Sequence, residues 1–160
     1  MQTEARPLVS VVVPVYNPGE YFAPFLASLQ AQTLQNWQAI LVDDGSTDGS
    51  AERIDSAARA DARILAVHQP NSGAAAARAR GVALAEGEFL LCVDSDDLMH
   101  PQMLRALVQA CQSQNAQLAF CRFAPFTEPP SPDTEPPAGQ PLSGQAAREM
   151  LLHDQRLDYA

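Results

Sequence analysis

The sequence predicts an α/β fold with a mostly parallel sheet. Apolar, β-branched runs alternate with helix-forming stretches from Leu8 to Phe123, and strand–helix units in succession give a parallel sheet with right-handed crossovers. The run Phe89-Leu90-Leu91-Cys92-Val93 is apolar without alternation, which suits a strand buried on both faces. Acids stand just past two of the runs, Asp43 and Asp44 after one and Asp94, Asp96 and Asp97 after the other. In open α/β sheets ligands bind in the crevice outside the carboxyl ends of the strands, so both acidic groups fall at the expected mouth of a site.

In chain order, residues 1–7 read as a loose end. Leu8 to Val15 is a buried strand, running into the turn-rich Pro14-Val15-Tyr16-Asn17-Pro18-Gly19. Glu20 to Gln32 reads as a helix with Phe22, Phe25, Leu26 and Leu29 on its apolar stripe, and Pro24 is tolerated near the first turn. Trp37 to Val42 is the second strand. It ends at Asp43-Asp44-Gly45-Ser46-Thr47-Asp48-Gly49-Ser50, which supplies N-cap residues for a helix over 49–60.

Arg63 to His68 is the third strand, and Gln69-Pro70-Asn71-Ser72-Gly73 a turn. Ala74 to Ala85 has strong helix propensity, interrupted by Gly81 at a cost of about 1 kcal/mol against alanine; a glycine there implies close approach by another backbone. Glu88 to Val93 is the fourth strand. Pro101 suits the first turn of the next helix, where Met103, Leu104, Leu107, Val108 and Cys111 recur with helical spacing. Gln117 to Phe123 is expected as a fifth strand. Then Pro125, Pro129, Pro130, Pro132, Pro136, Pro137 and Pro141, seven of the chain's 13 prolines, make an extended linker. Ser143 caps a short amphipathic helix to His153, and the chain stops at Ala160 without a closing element, as a truncated chain would.

The 160 residues suit one domain, and 46% apolar content suffices for an ordinary core. A formal net charge of −9 argues against nucleic acid or an anionic lipid surface as the main partner. Cys92, Cys111 and Cys121 lack metal-ligand spacing and read as reduced core residues of a cytoplasmic protein. His68, His100 and His153 are scattered; His100, just past the acids, reads as a helix-start residue rather than a ligand. No signal peptide and no membrane-length apolar run is visible.

Asp94, Asp96 and Asp97 repel one another unless a cation or several donors share them. Carboxylate oxygens are hard ligands suited to Mg²⁺ or Mn²⁺. A polar turn capping the next helix accounts for the same residues. Likewise, Asp43 to Ser50 suits a turn and a capped helix, Tyr16 a rim aromatic, and Arg78 a solvated helix residue.

In order, Val9-Ser10-Val11-Val12-Val13-Pro14-Val15-Tyr16-Asn17, Asp43 to Ser50, Asn71-Ser72-Gly73 with Ala77-Arg78 and Gly81, and Asp94-Ser95-Asp96-Asp97 resemble the donor-binding half of a family 2 glycosyltransferase. That family has the GT-A fold, a Rossmann-like three-layer α/β/α sandwich. The likeness covers residues 8–123, and the last helix resembles a segment of bacterial members. It implies a nucleotide-sugar-binding core over 1–123, a linker over 124–142, and over 143–160 the start of an acceptor-side part.

The resemblance also implies a reaction. A sugar passes from a nucleotide-diphosphate sugar, a UDP-sugar, to an acceptor hydroxyl with inversion. Pro14 and Tyr16 would flank the base and Asp44 would hydrogen-bond it. Arg78 would lie along the nucleotide, Asp94 or Asp96 would hold the ribose, and Asp96 or Asp97 would bind Mn²⁺ or Mg²⁺ on the diphosphate. The implied donor site comprises Pro14, Val15, Tyr16, Asn17, Glu20, Asp43, Asp44, Gly73, Arg78, Asp94 and Ser95, with Asp96 and Asp97 for the metal.

The implied acceptor is a saccharide or a lipid-linked saccharide. The implied setting is bacterial cell-surface polysaccharide synthesis, in the cytoplasm or at the inner face of the membrane with peripheral association. Ala79 follows Arg78 where the family often has Asn. The family's general base lies after the linker, beyond Ala160. A nucleotide-diphosphate-binding module without turnover would share every donor-side residue. Metal-dependent phosphoryl transfer through Asp94 and Asp96 fits less well, because the chain contains no lysine.

Overall fold

The computed structural model describes residues 6–121. The proline-rich stretch, the helix expected over 143–153 and the last two residues of the expected fifth strand lie outside the described residues. The elements run β1 (Val9–Val15), a 3-10 turn (Gly19–Tyr21), α1 (Phe22–Gln30), β2 (Trp37–Asp43), α2 (Ser50–Ala60), β3 (Ile64–His68), α3 (Ala74–Ala83), β4 (Phe89–Cys92) and α4 (Met103–Gln114).

All strand pairs are parallel and the order is β3-β2-β1-β4. The chain winds outward from β1 to β3, then α3 carries it back across the sheet to the far side of β1. Alternate residues of the central strands therefore face different layers. Val9, Val11, Val13 and Val15 pack with Phe22, Phe25 and Leu29 of α1, Ile54 of α2, and Leu104 and Val108 of α4. Val12 packs with Ile40, Val42, Val67 and Ala77 of α3 on the opposite face. This is an α/β/α sandwich whose sheet is parallel throughout the described residues. Each fully buried Phe or Leu of α1 contributes about 1.5–3 kcal/mol relative to exposure.

Several expectations are corrected. β4 is not buried on both faces: Leu90 is 49% exposed and Cys92 is exposed, while Phe89 and Leu91 pack on the main core. The reason is position. β4 is an edge strand among the described residues, and α3 packs over β1 and β2 instead.

Residues 117–121 form no strand; Leu118 and Phe120 are exposed, and the backbone leaves α4 through Asn115 in the left-handed region. Only Cys111 is a buried cysteine, since Cys121 is exposed as well. Gly81 is needed for close packing, but against side chains rather than backbone: an added Cβ would collide with Val12 Cγ1 and press on Val42 Cγ2.

Two local features position the carboxyl ends of the strands. Val93 N–H donates to Val12 O at 3.1 Å, so the next bond of the β1–β4 ladder would have to come from residue 14. That residue is Pro14, which has no N–H. On the other side of the acidic turn, Gln32 is 1% exposed. Its Nε2 donates to His100 O at 2.8 Å and its Oε1 accepts the Leu104 N–H at 3.1 Å. A side chain from the end of α1 thus satisfies an otherwise orphaned donor at the start of α4.

Candidate functional site

The strand order reverses direction between β1 and β4, and at the carboxyl ends of such a pair an α/β sheet leaves a crevice. A cavity of about 690 Å³ lies there. Its walls include Pro14, Val15, Tyr16 and Asn17 from the end of β1, Asp44 from the end of β2, Gly73 and Arg78 from the start of α3, and Asp94, Ser95 and Asp96 from the end of β4. Sequence motifs as far apart as Tyr16 and Asp96 thus converge on one space.

Asp44 is 2% exposed. Its Oδ1 accepts the Gln69 Nε2 and the Ser72 N–H, each at 2.8 Å, and its Oδ2 accepts the Gly73 N–H at 2.8 Å. Burial works to raise its pKa, but these donors together outweigh it and hold the carboxyl below the usual range. Gly45 beside it has φ +76, and an added Cβ would sit 2.9 Å from Asn71 N. The Asp-Gly pair is therefore what lets the β2 end close against the loop that starts α3. No side chain hydrogen-bonds to cap the start of α3, and uncapped N–H groups at a helix start favour anions.

Arg78 Nη2 makes a close ion pair with Asp94 Oδ1 across the cavity. Asp94 and Asp97 bound a turn in which Asp97 N–H donates to Asp94 O at 3.3 Å. Burial, then the neighbouring Asp96 and Asp94 charges, push the Asp97 carboxyl up. Among the described residues no group of three or more His, Cys, Asp or Glu could hold a metal.

A divalent cation on a diphosphate does not require such a cage. Mg²⁺ commonly takes one or two carboxylates, with phosphate oxygens and water completing the shell. Asp96 is exposed on the cavity wall and makes no hydrogen bond or ion pair among the described residues. The donor set fits that arrangement.

Three of the expected residues stand elsewhere. Glu20 is exposed in the 3-10 turn and does not line the cavity, and neither does Asp97. Asp43 turns away: its Oδ1 accepts the Ser46 N–H at 2.9 Å and its Oδ2 meets His68 Nδ1 at 3.2 Å. His68 Nε2 meets Asp55 Oδ1 at 2.9 Å. The bond to Asp55, then that to Asp43, hold the His68 pKa above its usual value despite burial.

Conversely, Pro18, Tyr21, Asn71 and Ala74 line the cavity without having been expected there. For Tyr21 the available signal was an aromatic next to the apolar stripe of α1 but off its inward face.

Residues 10–152 match the family model described as glycosyl transferase family 2. The chain belongs to glycosyl transferase family 2. Similar members include the glycosyltransferase GlyG of Streptococcus pneumoniae serotype 4, 41% identical over 122 residues, or 76% of this chain and 40% of GlyG. Among solved structures, S. aureus TarS in complex with UDP-GlcNAc superposes with a TM-score of 0.63 at 31% identity, over 67% of this chain and 32% of that one. The mannosyltransferase PcManGT from Pyrobaculum calidifontis, in complex with GDP-Man and Mn²⁺, follows at 0.54 and 27% identity, over 59% and 29%.

The fold is thus the GT-A α/β fold of these glycosyltransferase neighbours. The chain spans less than half the length of each of them. No helix among the described residues is long and apolar enough to cross a membrane.

Proposed function

We propose that the cavity binds a nucleotide-diphosphate sugar and that the chain is the donor-binding part of a glycosyltransferase. The observation that carries this is the convergence of Tyr16, Asp44, Arg78, Asp94 and Asp96 on one crevice between β1 and β4. The base would lie between Pro14 and Tyr16 with Asp44 accepting its N–H, the ribose would meet Asp94 or Asp96, and Arg78 would lie along the diphosphate. TarS has been solved with UDP-GlcNAc and PcManGT with GDP-Man and Mn²⁺, which supports the same ligand class here. A UDP-sugar is the donor we favour.

A divalent cation, Mn²⁺ or Mg²⁺, would be held by Asp96 with Asp97 or Asp94. When bound it would neutralise charge developing on the leaving diphosphate. Transfer would proceed with inversion, an acceptor hydroxyl attacking as a carboxylate removes its proton. We assign that base to residues other than the donor-side acids described above, so donor binding and transfer are separable. The acceptor would be a saccharide or lipid-linked saccharide of the bacterial cell surface, met on the cytoplasmic side of the membrane.

Calorimetric titration with UDP, GDP and their sugars, with and without Mn²⁺, tests the reading. Metal-enhanced binding of a nucleoside diphosphate is expected, with UDP favoured. Absence of binding by every nucleotide would overturn it. Binding without transfer even in a longer chain would favour the module that holds a nucleotide diphosphate without turnover.

A further inference from the structure

The loop between β1 and α1 is fastened to the loop between β2 and α2. Asn17 N–H donates to Ser46 Oγ at 3.1 Å, and Asn17 Oδ1 accepts the Thr47 N–H at 2.7 Å. Asp48 Oδ2 accepts the Gly19 N–H at 2.8 Å, while its Oδ1 accepts the Ser50 N–H at 3.0 Å. Arg53 Nη1 donates to Gly19 O at 2.8 Å.

Asn17 and Gly19 both have positive φ, +47 and +60. For Asn17 that conformation costs roughly 1 kcal/mol before any compensation, so the turn is held by its bonds rather than by its own preference. A helix cap alone does not account for Asp48. The N-cap of α2 is Gly49, and one Asp48 oxygen reaches the other loop.

The clasped turn lies between Tyr16 and Tyr21, 55% and 59% exposed. Both line the cavity. Large exposed aromatics fixed by a rigid backbone suit a flat apolar ring, and fixing them beforehand removes the ordering cost from the binding step.

We propose that Asp48 and Asn17 are positioning residues for base recognition, holding the Asn17–Gly19 turn so that Tyr16 and Tyr21 form the aromatic mouth of the base site. The inference rests on the nucleotide-sugar reading of the cavity. Tyr21 then contacts the base directly, whereas Asp48 and Asn17 act through the turn. Charge-assisted bonds from the Asp48 carboxylate are the strongest part of the clasp.

The test compares UDP with inorganic pyrophosphate, which lacks the base, by calorimetry with Mn²⁺ present. Asp48→Ala should weaken UDP roughly fivefold to tenfold and leave pyrophosphate unchanged. Asp48→Asn, which keeps one acceptor oxygen, should fall between, and Asn17→Ala should behave like Asp48→Ala. In a Tyr16→Ala, Tyr21→Ala background, Asp48→Ala should cause no further loss.

Equal losses for both ligands, or a full additional loss in the double-tyrosine background, would overturn the positioning role. So would wild-type UDP binding that Asp48→Ala leaves intact, although the donor reading would then stand. A wild type that binds neither ligand overturns the donor reading itself, and with it this inference.

Discussion

Asp44 accepts the Gly73 N–H at 2.8 Å, so the residue expected to read the base also anchors the helix that carries Arg78. The two roles predict a particular pattern of loss. Asp44→Ala should weaken UDP binding by about 1–3 kcal/mol, the range for losing a buried hydrogen bond with a charged group. Pyrophosphate binding should weaken too, because the loop that places Arg78 is released. Calorimetry with UDP, GDP and pyrophosphate checks this. Equal losses for UDP and GDP would show that Asp44 anchors the loop without reading the base.

Arg78 is paired with Asp94, and the side chains are 38% and 53% exposed. An ion pair this exposed is worth about 0.2–1 kcal/mol, which a diphosphate can readily displace. Asp94→Asn should therefore raise metal-free affinity for pyrophosphate by roughly twofold to fivefold. Arg78→Met should lower it. Unchanged affinity in Asp94→Asn would show that the pair does not compete with an anion.

Metal and nucleotide should bind cooperatively, since the described residues offer carboxylates but no complete coordination shell. Chelator should reduce UDP affinity in the wild type. Asp96→Asn should abolish most of that difference while leaving metal-free binding nearly intact. Chelator-insensitive binding by the wild type would count against a metal on Asp96.

His68 gives the fold a pH dependence with a definite sign. Its pKa is raised, first by Asp55 and then by Asp43, so its contribution is fully present below the unfolded value of ~6.5 and is lost as pH rises through the folded value. The melting temperature should fall over that interval, and His68→Gln should flatten the slope. Asp44, Asp48 and Asp61 have lowered pKa values. Their contribution is present above ~3.9 and is lost as pH falls through their folded values, so acid titration separates them from His68. For Asp48, the Ser50 side chain is the largest cause, close to the carboxylate although its hydroxyl completes no hydrogen bond.

The strands, the helices between them and the acids at their ends were legible because each leaves a local mark: a β-branched run, a helical stripe, an Asp-Gly turn. Convergence of Asp44, Arg78 and Asp94 was legible for the same reason, since every motif marks the end of a strand or the start of a helix. What was not legible depends on which helix covers which strand. Leu90 and Cys92 look like core residues in sequence, and become exposed only because α3 lies over β1 and β2. Asp43 and Asp44 are adjacent in sequence, yet one faces His68 and the other the cavity, as neighbouring residues leaving a strand point oppositely. Gln32 reads as an ordinary surface helix end until α4 is placed beside it.

Pro14 carries a consequence for alignment. The β1–β4 ladder pairs Val12 with Cys92, and beyond it the proline has no donor to give. β4 therefore cannot zip further along β1, and the chain is released from the sheet at a fixed residue. A slip of β4 by one position would also turn every side chain of the strand to the opposite layer, carrying Phe89 and Leu91 out of the main core. The missing N–H works as a stop on a ruler: it sets where the carboxylates depart, and so how far Asp94 stands from Arg78 on the other wall.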